Sequence, residues 1–82
     1  MSNGYRVAFV NDSLGSGRAR MWVNVSREVV SEAQAIKWMR HFKRRGYNAW
    51  VETADGTHYP VKGAKRAFKT DAKREMIHFT AQ

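Results

Sequence analysis

Ser31-Glu32-Ala33-Gln34-Ala35-Ile36-Lys37-Trp38-Met39-Arg40-His41-Phe42-Lys43-Arg44-Arg45-Gly46 is the stretch from which the fold can be read. Ser31 followed by Gln34 has the form of a capping box, in which each side chain satisfies a helix-start amide of the other. Gly46 supplies a left-handed stop after Arg45. Together they predict a helix from about Glu32 to Arg45. At about 100° per residue, Ala35, Ile36, Met39 and Phe42 share an arc of about 120°, wide enough for one buried stripe. Lys37, Arg40, His41 and Arg44 fall on the opposite side. The late basic residues also suit the negative end of the helix dipole, which is a structural reason for part of the cluster.

On either side of this helix the periodicity changes to two. Tyr5-Arg6-Val7-Ala8-Phe9-Val10 alternates, residues 11–17 are rich in turn formers, and Arg18 to Val25 alternates again. In the second run Met21, Val23 and Val25 share one face, and Arg18, Arg20, Trp22 and Asn24 the other. The pair predicts an antiparallel hairpin. After the helix, Tyr47 to Thr53 and Thr57 to Lys62 predict a second hairpin around Asp55-Gly56, with Pro60 confining its strand to a sheet edge.

The expected fold is α+β: two β-hairpins forming a four-stranded antiparallel sheet, one helix packed on one face (ββαββ), and a basic C-terminal extension over residues 63–82. Ala64, Ala67 and Phe68 allow a helical turn in that extension, and Met76 to Thr80 allow a last short strand. Eighty-two residues make a single domain, 1–82.

Composition narrows the chemistry. The chain has no cysteine, which excludes disulfides and thiolate metal sites. No apolar run approaches the ~20 residues of a membrane span, and Met1-Ser2-Asn3-Gly4 has no signal-peptide pattern, so a cytoplasmic location and no membrane partner are expected. His41, His58 and His78 lack metal-ligand spacing, the acids are scattered, and Gly15-x-Gly17 is not followed by a helix. No catalytic residue, metal or cofactor is therefore expected, and the protein is read as non-enzymatic.

The net charge is +8, and it is unevenly spread. Residues 27–46 hold six Lys or Arg against two acids, and residues 62–82 do the same. An anionic partner is the natural inference, and nucleic acid is the commonest. If the helix covers one sheet face, Tyr5, Val7, Phe9, Met21, Val23, Val25, Tyr47, Ala49, Val51, Tyr59 and Val61 form a core against Ile36, Met39 and Phe42. The other face then collects Arg6, Ala8, Val10, Arg18, Arg20, Trp22, Asn24, Asn48, Trp50, Glu52, His58 and Lys62, two tryptophans amid four basic residues, a surface on which unpaired bases could stack. Cover by the C-terminal segment, or a homodimer through that open face, would use the same rings.

The candidate nucleic-acid-binding residues are thus Arg18, Arg20, Trp22, Lys37, Arg40, Arg44, Trp50, Lys65 and Arg66. They point to a small, basic, backbone-directed nucleic-acid-binding protein with aromatic stacking, of a kind that suits a prokaryotic or phage accessory role. The alternative is an interaction module or inhibitor that binds an acidic or nucleic-acid-binding surface of a larger protein. The stretch from Ala33 to Val61, with Arg45-Gly46-Tyr47, Ala49-Trp50-Val51 and the hairpin Asp55-Gly56-Thr57-His58-Tyr59, resembles the septal peptidoglycan-binding SPOR repeat. The residues after Val61 depart from that pattern, and no role is carried over from it.

Overall fold

A computed structural model describes residues 4–10, 22–66 and 72–79. Five strands and one helix run in the order β1 (Tyr5–Val10), β2 (Trp22–Ser26), α1 (Glu32–Arg44), β3 (Asn48–Thr53), β4 (His58–Tyr59) and β5 (Lys73–Ile77). The sheet order is β4-β3-β1-β2-β5. Neighbours are antiparallel except β2 and β5, which run parallel. The expected α+β class with one helix is observed, but the sheet is five-stranded and mixed, not four-stranded and antiparallel.

The local signals behave as the sequence suggests. Ser31 caps α1 by accepting the Gln34 N–H at 3.2 Å. At the other end Gly46 has φ +93, its N–H bonds the Lys43 carbonyl at 3.0 Å, and the Tyr47 N–H bonds the Phe42 carbonyl at 3.1 Å. This pair of closing bonds brings Tyr47 onto Phe42, ring centroids 5.9 Å apart, the apolar contact that commonly seals such a stop. In the β3–β4 hairpin, Gly56 takes φ +94 and the Thr53 N–H meets the Thr57 carbonyl at 2.8 Å. Pro60 has no N–H to offer, and β4 ends at the residue before it, on the sheet edge.

The core has two sides. Helix-side residues Val7, Phe9, Ala49 and Val51 pack with Ala35, Trp38, Met39 and Phe79. Phe9 stacks on Phe42 and Tyr47 at centroid distances of 4.4 and 5.0 Å. On the opposite side Ala8, Val10, Val23, Val25 and Trp50 form a second buried cluster. Three expectations are corrected here. Val23 and Val25 lie away from the helix, because β2 pairs with β1 as Ala8↔Val25. Trp38 belongs to the buried stripe of α1, with Ile36 and Phe42 only half-buried at its margin. Finally, the second face is not open, so a homodimer through an open sheet face loses its basis.

Among the described residues, Ala64 and Ala72 pack against that far-side cluster. The chain leaves β4 at one edge of the sheet and β5 forms the other edge. Residues 73–77 are therefore an integral strand, set upstream of the expected Met76 to Thr80 and not part of a loose arm. Glu28 fastens the chain beyond β5. Its carboxylate accepts the Phe79 N–H at 2.9 Å and pairs with His78 Nδ1 at 2.8 Å, seating Phe79 against Phe9, Phe42 and Trp38. Among the described residues no helix is long and apolar enough to cross a membrane.

Candidate functional site

Register sorts the charges. β1 ends at Val10 opposite Asn48, the first residue of β3, and β3 begins where α1 has just ended. β2 begins at Trp22 opposite Lys73, the first residue of β5. One end of the sheet therefore gathers Lys43, Arg44 and Arg45 from the close of α1, Lys62, Lys65 and Arg66 from beyond β4, and Lys73, with no acid among the described residues. The opposite end holds Glu28, Glu32 and Asp55 against Arg6 and Arg27, close to balance.

The acids at the balanced end are engaged. Glu28 is held down to about 2 by the Phe79 N–H and by His78. Asp55 sits below its ordinary value because the Thr53 hydroxyl and the Thr57 amide bond it. Glu32 accepts the Tyr59 hydroxyl, which pushes that phenol up to about 12. Arg6 is also structural: Nε reaches the Ala54 carbonyl at 3.0 Å, and Nη1 the Ser26 and Arg27 carbonyls at 3.0 and 2.7 Å. Glu75, on the exposed part of β5, is the exception among the described acids.

At the basic end two adjoining clefts share Lys43 and Gly63. Met39, Arg40, Lys43, Arg44, Lys62 and Gly63 line the first. Lys43, Asn48, Gly63, Ala64 and Lys65 line the second. The turn that makes them is tight: Val61 bridges Ala64, the Ala64 N–H bonds the Val61 carbonyl at 3.0 Å, and Gly63 sits at φ +84. A side chain is strained at that φ, so glycine lets Lys62 and Lys65 flank the groove. Arg40, Lys43, Arg44, Lys62 and Lys65 are all exposed, and none pairs with an acid among the described residues. The chemistry on offer is a concave cationic surface with an apolar floor at Met39.

The sequence-derived candidates divide. Arg40, Arg44 and Lys65 line the groove, and Lys37 continues the exposed flank one turn up the helix. Arg66 is exposed just beyond Lys65. Arg18 and Arg20 lie outside the described residues. The tryptophans do not share a face. Trp22 stands on the helix side, in phase with Asn24 opposite Phe9, and is 50% exposed. Trp50 pairs with Ala8 on the far side and is 0% exposed. Trp50 is thus a core residue and cannot offer its ring to a base. Lys43, Lys62 and Asn48 line the groove without being among those candidates, although Lys43 belongs to the basic helix cluster and Asn48 and Lys62 fall on the expected stacking face; the Gly63 turn between Lys62 and Lys65 is the signal that points to the second wall.

Comparison with family models, with curated proteins and with solved structures finds no match.

Proposed function

We propose that this protein binds nucleic acid through the phosphate backbone, at the basic end of its sheet, and acts by binding without catalysing a reaction. The observation that carries the reading is the convergence of Arg40, Lys43, Arg44, Lys62 and Lys65 around one groove, unpaired with acids among the described residues. Guanidinium and ammonium groups on a concave wall suit phosphates, and apart from Asn48 the groove has no amide or hydroxyl side chain to read base edges. Affinity without sequence choice is the consequence. Titration of labelled duplex and single-stranded DNA and RNA over a salt series tests it, since each neutralised phosphate steepens the salt dependence by a known increment.

A second reading, a protein partner with an acidic surface, draws on the outer edge of β5. That strand ends the sheet with five mostly exposed residues, and Met76 stands 40% exposed on it. A partner adding a strand there would protect the β5 amides from hydrogen exchange. A polynucleotide in the groove would leave them exchanging.

A further inference from the structure

Trp22, Lys73 and Glu75 stand exposed on the helix side of β2 and β5, because α1 lies across β1 and β3 and leaves the beginnings of these two strands uncovered. We infer that Trp22 is a stacking site for an unpaired base, so that the protein selects single-stranded over duplex nucleic acid. The inference rests on the backbone-binding reading and adds its substrate class.

Four observations converge on it. Trp22 is half-exposed while Trp38 and Trp50 are 7% and 0% exposed, so one indole of the three is accessible to a ligand. It lies at the basic end: Asn48, which opens β3, pairs with Val10, and β2 is the strand beyond β1, so Trp22 starts its strand at the same end of the sheet, about two strand spacings or roughly 10 Å of backbone from Asn48. The Lys73 ammonium sits 5.1 Å from the ring centroid, a cation already drawn to the π face and placed to turn onto a phosphate when a base takes that face. Asn24, half-exposed two residues along the same face, carries an amide able to donate to or accept from a base edge.

A duplex keeps the faces of its bases inside the stack, so only an unpaired base can lie on Trp22. Glu75 opposite Asn24 repels phosphates from that flank and leaves them Lys73 and the groove. A protein partner anchored by the same indole is the competing occupant, and a titration with nucleic acid separates the two.

The experiment titrates the full chain with oligothymidylate single strands and with mixed-sequence duplex of equal length, following tryptophan emission and affinity in parallel. Because Trp38 and Trp50 are buried, quenching reports on Trp22. Single strands should quench the emission and bind more tightly than duplex. Trp22→Ala should lower single-strand affinity by about 5- to 150-fold, the range expected for one stacked base, and leave duplex affinity unchanged. Trp22→Phe should restore most of the loss, and both variants should melt like the parent because the side chain is exposed. Equal losses on both ligands, no loss in Trp22→Ala, or quenching only on self-association would overturn the inference. Salt-dependent binding that ignores Trp22 overturns this inference alone, whereas no binding of any nucleic acid overturns the backbone reading with it.

Discussion

Trp50 donates its indole N–H to the carboxylate of Glu52, two residues further along β3, at 2.9 Å, with both side chains fully buried. Arg74 reaches the other carboxylate oxygen from β5, along the same face of the sheet. A buried carboxylate is tolerable only when paired and hydrogen-bonded. Here the pairing does a second task, because it ties β5 to β3 across the face that holds the Trp50 cluster.

Arg74→Ala should therefore destabilise far more than its partly exposed position suggests, by about 3 kcal/mol, since it leaves Glu52 buried and unpaired. Adding Glu52→Gln should recover part of that loss, because an amide oxygen still accepts from Trp50 and no charge is stranded. Urea melts of the two single variants and the double variant check it; additive losses would show that the pair is not coupled.

Trp38→Ala should cost about 3–5 kcal/mol, enough to unfold much of a domain this small. Trp38 is buried against Phe79 with ring centroids 5.4 Å apart. Phe42→Ala should fall in the same range or just below it, because Phe42 is half-buried yet stacks on Phe9. Thermal melts followed by circular dichroism measure both. A cooperative Trp38→Ala protein with an unchanged midpoint would mean that this face of α1 does not hold the sheet.

Acid should loosen the Glu28 clasp. The folded carboxyl titrates at about 2 against an ordinary 4.5, chiefly through the Phe79 N–H and then His78. A lowered folded value means that the stabilisation is fully present above about pH 4.5 and is lost as the pH falls toward 2. Glu28→Gln should remove that part of the acid dependence. Melting temperatures across this window, for parent and variant, should converge at the acid end; parallel curves would contradict the clasp.

The Tyr59–Glu32 bond gives the opposite sign at the alkaline end. The phenol, pushed from 10 to about 12 by the Glu32 carboxylate, is held protonated in the folded chain. Its stabilisation persists below pH 10 and disappears as the pH rises toward 12. Phenolate absorbance should show one late-titrating tyrosine that Tyr59→Phe removes.

Sequence patterning revealed whatever local chemistry dictates. Ser31 and Gln34 marked the start of α1, Gly46 its end, Asp55-Gly56 the hairpin turn, and Pro60 the edge. It failed where the decisive contact is distant. Because both faces of the sheet are buried, the alternation of β2 cannot say which side meets the helix, and Val23 and Val25 lie on the side that alternation alone does not pick out. The same ambiguity of phase decides whether Trp22 shares a face with Trp50, and it does not. The parallel pairing of β5 with β2 depends on a crossing of the whole sheet, which no short pattern records. Half of the groove was legible as the α1 flank; its other wall, Lys62 and Lys65, meets α1 only through the folded path of the chain.

Phosphate binding in the groove should show in the salt dependence of affinity, compared between the parent and the triple variant Arg40→Gln, Lys43→Gln, Arg44→Gln. All three side chains are exposed, so the variant should keep the parent's fold and melting behaviour. On duplex, log affinity should fall with log salt by about 0.9 per neutralised phosphate, and on single strands by about 0.7. The variant should lose affinity on every sequence alike and flatten the duplex slope by up to about 3. Identical slopes in parent and variant, or no binding by the parent at low salt, would contradict the account.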